Sequence, residues 1–261
     1  MILYYKNEQN KFFMEKAVEQ YCKNIEQFIL NNADAKKIEN IKIYLKNQAE
    51  IIYGIPMKRL KSLFLKHLSE FDNLESEYIY SLINELFISK AYEKQIIACM
   101  LLERYYYKFQ EENIIRLIKD YILNDIIINW AIADQVSTNT FSKFNNKSFL
   151  HEFALSDHYL LRRCSVTVFA EMPLTDEDID MLINNIKELF QEKNEYVMRA
   201  AGWACRNILN YNESRYFQFI DESSHLMPRI MLRNAIEFLD EDIRVNILVS
   251  SKEKRDSIKN K

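Results

Sequence analysis

Glycine and proline are scarce in this sequence. The 261 residues include only two glycines and three prolines, far below ordinary usage. Because the tight turns of sheet proteins depend on these two residues, their scarcity predicts helices joined by short polar connections. Hydrophobic residues make up 48% of the chain and charged residues 28%, which is the balance of a globular protein rather than a disordered one.

Other absences exclude further classes of protein. The four cysteines are scattered, without a Cys-x-x-Cys pair and without a histidine at ligand spacing, so we expect neither a metal site nor a disulfide framework. The net charge of −3 gives no global positive field, so any basic site must be local. No run reaches the roughly 18 apolar residues of a membrane span. The N-terminal segment also lacks the apolar core of a signal peptide, and we expect a cytoplasmic protein without a membrane partner.

Apolar residues recur at three- and four-residue steps along most of the chain. Examples are NKFFMEKAVEQYCKNIEQFIL, MKRLKSLFLKHLSEF and SEYIYSLINELFISK. This spacing predicts amphipathic helices. In MPLTDEDIDMLINNIKELF, Thr175 is placed to cap a helix whose first turn is acidic.

Some of these helices resemble one another at a fixed interval. Arg163, Arg199 and Arg233 each precede a small-and-apolar stripe, at intervals of 36 and 34 residues. Intervals of this size are typical of two-helix repeats, which stack into an α-solenoid with a concave surface. We therefore predict an all-α fold, an α-solenoid of helical repeats, as one domain over residues 1–250 followed by a polar tail at 251–261.

The repeat register places both tryptophans, a carboxylate and several arginines on equivalent inner helices. These residues are Trp130, Asp134, Arg163, Arg199, Trp203 and Arg206. Trp130 and Asp134 lie four residues apart and therefore share one helix face. The register predicts that these side chains converge on one concave surface, with Asp134 at least partly accessible.

Each of these residues also has a structural explanation. A lone tryptophan on an amphipathic helix usually packs in the core, and a helical aspartate is usually solvated or capping. Arginines at repeat spacing also form salt bridges between repeats. Gly202 lies inside a predicted helix, where glycine costs roughly 1 kcal/mol relative to alanine. It either admits a closely approaching helix or leaves Trp203 free to turn into a cleft.

Three segments, NWAIAD, LLRRCSV and YVMRAAGWACR, resemble the AlkD-type DNA alkylation-repair glycosylases, which are built from HEAT-like repeats. That family carries Trp-x-x-x-Asp on one inner helix, here Trp130 and Asp134. It carries an arginine in the next repeat, here Arg163, and then a Gly-Trp pair followed by an arginine, here Gly202, Trp203 and Arg206. The order and intervals agree over roughly residues 40–240.

The resemblance also covers an earlier part of the chain. YLKN supplies Tyr44 and Lys46, and YGIPMKRLKSLFLKH resembles the family's Gly-Ile turn, which uses Gly54, the other glycine of the chain. We expect Tyr44 and Lys46 to contact DNA together with the arginines of the later repeats.

The resemblance implies an enzyme that hydrolyses the N-glycosidic bond of cationic alkylated purines, of the 3-methyladenine and 7-methylguanine type, in duplex DNA. Asp134 would be the catalytic carboxylate, with Trp130 and Trp203 as the catalytic walls of the cleft. The remaining residues would bind DNA: Arg163, Arg199, Arg206, Tyr44 and Lys46. The implied enzyme needs no cofactor or metal, and we expect a monomer.

Two other functions fit the same sequence. The chain could be a non-catalytic relative that binds damaged or branched DNA, or a helical scaffold that binds proteins, as many solenoids do. The presence of Asp134 favours the enzyme over the non-catalytic binder. A concave face dominated by carboxylates would favour the scaffold.

Overall fold

The structure is a computed structural model that describes the backbone of residues 8–259 and the side chains of residues 14–258. Within residues 8–259 the chain forms fourteen α-helices and no β-strand, which confirms the predicted all-α class. The N-terminal segment on which the signal-peptide expectation depends begins outside these residues.

The helices follow one another with short connections. Their bounds are α1 (Glu8–Asn32), α2 (Ala35–Tyr44), α3 (Met57–Phe64), α4 (Ser76–Ile88), α5 (Tyr92–Tyr105), α6 (Glu111–Leu123), α7 (Trp130–Asn139), α8 (Phe149–Ala154), α9 (Tyr159–Thr167), α10 (Asp176–Glu188), α11 (Glu195–Tyr211), α12 (Glu213–Ser223), α13 (Arg229–Ala235) and α14 (Glu241–Lys259). Short 3-10 segments follow α3, α5, α7 and α10. None of the helices in the described ranges combines the length and apolar character that crossing a membrane requires.

The first of two compact units covers Met1–Val136. In this unit α4 packs against α5 and α1, and α3 packs against α5. α5 is buried over most of its length, because its residues Ile96–Leu102 are all enclosed. This helix is therefore the centre of the core of the unit.

The second unit covers Ser137–Lys261. Its helices α9, α11 and α13 pack against one another in that order, while α10 packs against α8, α9 and α11. The first three helices carry the arginines of the predicted register, so their packing has the order that the repeat interval predicts. The extent of a single domain over 1–250 stays a prediction. Of the tail at 251–261, the residues up to Lys259 continue α14.

Thr175 caps α10, as its sequence predicts. Its side-chain oxygen accepts the N–H of Asp178 at 3.1 Å, and the Asp178 carboxylate accepts the Thr175 N–H at 3.1 Å. This reciprocal pair is a capping box, which satisfies two N–H groups that a helix start otherwise leaves without partners.

Gly202 lies at a close approach between α11 and α13. A Cβ at this position would lie 2.5 Å from the Asn234 Cβ and 2.5 Å from the Met231 carbonyl oxygen, far inside van der Waals contact. Of the two explanations for this glycine, close approach of a neighbouring helix is the one that its surroundings require. The adjoining Trp203 is partly exposed.

We expect Gly202→Ala to lower the free energy of unfolding by about 2–3 kcal/mol, because the added methyl group overpacks a rigid backbone contact. This loss outweighs the roughly 1 kcal/mol that alanine gains as a helix former. Urea denaturation measures it, with Asn210→Ala at an exposed position of α11 as the control. A stabilised Gly202→Ala variant would show that the two helices have room for a methyl group.

Candidate functional site

Trp130 begins α7, and the residue before it fixes this start. Asn129 is buried, and its side-chain oxygen accepts the Ile132 N–H at 3.0 Å, which is the contact of an N-cap. Because the cap sets the first turn, it also sets the face on which Trp130 and Asp134 lie, four residues apart.

Tyr44, the last residue of α2, packs edge-on against Trp130. The ring centroids are 5.0 Å apart and the planes are inclined by 60°. Tyr44 is 55% exposed and Trp130 is partly exposed, so the pair forms an aromatic surface on the first unit. Aromatic pairs in this arrangement contribute about 0.5–1.5 kcal/mol beyond the area that they bury.

Asp134 is more enclosed than the sequence predicts, with 8% of its surface exposed. Most of the residues around it on α7 are enclosed as well. Its buried neighbours are Ala131, Ile132, Ala133 and Val136. The next residue along, Gln135, accepts a hydrogen bond from the Lys61 ammonium group of α3. A carboxylate in such a low-dielectric setting acts more strongly on a nearby cation than an exposed one does.

The predicted Gly-Ile turn is present before α3. Gly54 has a φ of +91°, which lies in the region that glycine adopts without strain. A Cβ at this position would lie 2.0 Å from the Asp34 carbonyl oxygen. Asp34 is the N-cap of α2 and accepts the Lys36 N–H at 3.0 Å. The turn therefore packs directly on the start of the helix that carries Tyr44.

A carboxylate that sequence analysis missed holds this turn. Glu93 of α5 is completely buried, and its oxygens accept the N–H groups of three successive residues. These are Tyr53 at 3.0 Å, Gly54 at 2.8 Å and Ile55 at 3.0 Å. The only signal in the sequence is a glutamate beside a long apolar stretch, which is typical of many helix starts. Glu93 thus fastens α5 to the turn that supports α2.

The end of α2 places Lys46 in an unusual backbone conformation. Lys46 and Asn47 have φ values of 54° and 61°. The Asn47 N–H donates to the Lys42 carbonyl at 2.8 Å, and the Lys46 N–H donates to the Ile43 carbonyl at 3.1 Å. These two hydrogen bonds form a Schellman motif, in which Lys46 takes the position that glycine usually occupies. The left-handed conformation costs a residue with a Cβ roughly 1 kcal/mol or more.

Lys46→Gly should therefore raise the free energy of unfolding by about 1 kcal/mol while it weakens binding to duplex DNA. The gain follows from relief of backbone strain, and the loss follows if the exposed lysine contacts phosphate. Asn47→Gly is the matched control, since it also relaxes a left-handed residue but removes no charge. Denaturation and fluorescence anisotropy measure the two effects. Duplex affinity equal to wild type in Lys46→Gly would remove this residue from the DNA-binding set.

In the second unit, the accessible face of α11 carries Arg199, Trp203 and Arg206. Their intervening neighbours Ala200, Ala201, Ala204 and Cys205 are buried. Trp203 is thus a partly exposed indole between two arginines on one helix face, and it is not part of the core formed by those neighbours.

The two predicted arginines of α11 have protein partners. Arg199 pairs with Glu195 one turn earlier on the exposed surface. Arg206 pairs with Glu237, donates to the Asn234 carbonyl at 3.3 Å and lies 4.0 Å from the centroid of the Phe238 ring. Arg206 thus forms the salt bridge between repeats that the structural explanation anticipates.

Arg163 is 6% exposed and donates from α9 to the Tyr196 carbonyl at the start of α11. It therefore links two helices of the predicted register. Its neighbour Arg162 forms a salt bridge with Glu192, in which Arg162 Nε lies 2.6 Å from Glu192 Oε2. Through these contacts, both arginines hold α9 against the start of α11 and the residues just before it.

Three of the four cysteines are unsuited to nucleophilic chemistry. Burial raises the pKa of Cys99 and Cys205 to about 12 and that of Cys22 to about 11, so these thiols are protonated at neutral pH and are poor nucleophiles. Among the described residues, no three His, Cys, Asp or Glu side chains are grouped as ligands for a metal ion.

Residues 25–239 match the sequence profile of a family described as DNA alkylation repair enzyme. The chain belongs to this family. The predicted resemblance is thereby confirmed, and membership in the DNA alkylation repair family gives the chain a role in DNA repair. No curated protein matches the chain.

A solved structure has the same fold as this member of the DNA alkylation repair family. It is described as a predicted DNA alkylation repair enzyme from Enterococcus faecalis, and it superimposes with a TM-score of 0.68 at 16% identity. The match covers 80% of this chain and 98% of that chain. At this identity the likeness shows the fold alone.

The structure brings the predicted residues of this family member together in two sets. Tyr44, Trp130 and Asp134 lie in the first unit, with Lys46 two residues beyond Tyr44 along the chain. Arg163, Arg199, Trp203 and Arg206 lie in the second unit. The convergence of both sets on one surface stays a prediction.

Proposed function

We propose that this member of the family is a DNA N-glycosylase that acts as a monomer on duplex DNA. Its substrates are cationic alkylated purines of the 3-methyladenine and 7-methylguanine type. The observation that carries the proposal is the arrangement on α7. A buried carboxylate, Asp134, lies one turn from the partly exposed indole of Trp130, which is packed against Tyr44.

The reaction requires a negative charge near the deoxyribose rather than a general acid that protonates the base. N-alkylation makes the purine cationic, so the base leaves as a neutral molecule with the electron pair of the bond to C1′. The deoxyribose then has oxocarbenium character. A preorganised carboxylate such as Asp134 stabilises this cation and orients the water whose oxygen adds to C1′. The proton released from that water passes to solvent, and the reaction needs no cofactor.

The indole groups contribute a second kind of stabilisation. The face of an indole attracts a cation by about 0.5–2 kcal/mol, more when the site excludes water. Trp130 lies next to the carboxylate along its helix face, and Trp203 offers a second partly exposed indole on α11. We propose that both rings contact the lesion nucleoside.

The proposed DNA contacts are Tyr44, Lys46, Arg163, Arg199 and Arg206. Basic side chains at phosphates supply affinity without sequence readout, which suits an enzyme that must act on lesions in any sequence. We expect the smallest contribution from Arg163, because only 6% of its surface is exposed.

A base-release assay on methylated duplex DNA tests the proposal. The protein is incubated with duplex that contains 3-methyladenine and 7-methylguanine, and released bases are separated by chromatography. We expect release that increases with protein concentration. Duplex binding without release would make the chain a non-catalytic binder. The absence of both binding and release would favour a protein-binding scaffold.

A further inference from the structure

Three arginines outside the proposed site form a basic cluster in the second unit. Arg229 and Arg233 lie four residues apart on α13 and therefore share one helix face. Arg229 donates to the Leu248 carbonyl of α14 at 3.4 Å. Arg255 of α14 donates to the carbonyls of His225 and Met227, at 3.0 and 2.9 Å, just before α13 begins. These contacts hold the three side chains, the arginine cluster, on adjoining segments.

The arginine cluster is not neutralised by carboxylates. In the described part of the chain, none of its three members forms a salt bridge, whereas four other arginines of the same unit do. Those four are Arg162, Arg199, Arg206 and Arg215, which pair with Glu192, Glu195, Glu237 and Asp180. Positive charge that the fold leaves uncompensated is available to an external anion.

The cluster also works against the stability of the fold. Burial lowers the pKa of Arg229, and the positive charges of Arg233 and Arg255 lower it further. Like charges four residues apart on a helix destabilise it by about 0.2–0.5 kcal/mol. Since no carboxylate of the described residues offsets this repulsion through an ion pair, a bound anion would stabilise the arrangement.

We propose that the arginine cluster binds the sugar–phosphate backbone of DNA. The choice of DNA among polyanions rests on the proposed function. Arginine matches the geometry of phosphate, to which it donates two parallel hydrogen bonds. Arg233 is the exposed member and Arg229 and Arg255 are partly exposed, so Arg233 makes the principal contact.

Binding of undamaged duplex by Arg233→Ala tests this proposal. We expect its dissociation constant to rise by about 5- to 10-fold at low salt, and the slope of log affinity against log salt to fall by about one, as for the loss of one phosphate contact. Arg215→Ala is the matched control, because it removes an arginine that already pairs with Asp180. We expect Arg215→Ala to change the dissociation constant by less than about 2-fold, and Arg233→Lys to keep most of the affinity.

The outcomes separate this proposal from the glycosylase proposal, because undamaged duplex leaves base release out of the measurement. If the wild type releases methylated bases but Arg233→Ala binds duplex as the wild type does, the cluster proposal is wrong and the glycosylase proposal stands. If Arg233→Ala binds duplex weakly while the wild type releases no base, the glycosylase proposal is wrong and the cluster proposal stands. Equal weakening by Arg215→Ala would show that only net charge matters and would overturn the cluster proposal.

Two further results would overturn the assignment to DNA. Thermal stabilisation of the wild type by inorganic phosphate, together with unchanged duplex affinity in Arg233→Ala, would indicate a site for a free anion. A wild type that binds no duplex at low salt would overturn both the cluster and the glycosylase proposals.

Discussion

Asp134→Asn should lower the rate of base release from methylated duplex DNA by about 10²-fold or more, which is the effect of losing one preorganised electrostatic stabiliser of a transition state. Asparagine keeps the size of the side chain but removes its charge. Duplex affinity should be unchanged or slightly stronger, because a repulsion with phosphate is relieved. Single-turnover release measures the chemical step, and anisotropy with undamaged duplex measures binding.

The chain offers a matched control for this substitution. Asp125→Asn removes the same charge nine residues earlier, at an exposed position with a φ of 54° that asparagine also tolerates. We expect its release rate to be within about 2-fold of wild type, as for surface changes remote from the chemistry. Urea denaturation of both variants shows whether the fold is kept. Release by Asp134→Asn at the wild-type rate would show that the catalytic carboxylate is another residue.

Glu93→Ala should lower the free energy of unfolding by about 3–5 kcal/mol, the largest stability effect that we expect from a single substitution. The change leaves three buried N–H groups without their acceptor, and each such group costs about 1–3 kcal/mol. Because the turn at Gly54 packs on the start of α2, we also expect weaker protection of the α2 amides in hydrogen exchange. Urea denaturation gives the free energy.

Glu85→Ala is the control for Glu93→Ala. It removes the same type of side chain from an exposed position on the neighbouring helix α4, and we expect a change within about 0.5 kcal/mol. Glu93→Gln should have an intermediate effect, since one of its two terminal groups can no longer accept. A loss below about 1 kcal/mol in Glu93→Ala would mean that water replaces the carboxylate as acceptor.

The helices could be predicted because their causes are local. An α-helix depends on hydrogen bonds between residues four apart and on apolar residues that recur along one face. Both features depend on residues that are close together in the sequence. The capping box at Thr175 is of this kind, since its partner Asp178 lies three residues away. Close approach of a neighbouring helix at Gly202 was one of the two explanations that the sequence offered. Glycine inside a helix is unfavourable, so its presence there indicates a specific structural requirement.

The candidate site was predicted as a set of residue types on helix faces. Four-residue spacing put Trp130 and Asp134 on one face, and their role as site residues stays a prediction. The spacing did not show that Tyr44 packs on Trp130, because those two residues lie in different helices that are far apart along the chain. It also did not show the enclosure of Asp134, which depends on what packs around α7.

The sequence by itself determined the all-α class, the helix cap at Thr175 and the membership of the family. Only the tertiary structure decided which polar groups meet. Glu93 accepts from a turn about 40 residues earlier, Arg163 donates to a carbonyl 33 residues later, and Arg206 pairs with Glu237, 31 residues later. Such contacts depend on distances in space that helical periodicity does not specify. For the same reason, the sequence showed three arginines at positions 229, 233 and 255, but only the packing of α13 and α14 showed that they form one uncompensated cluster.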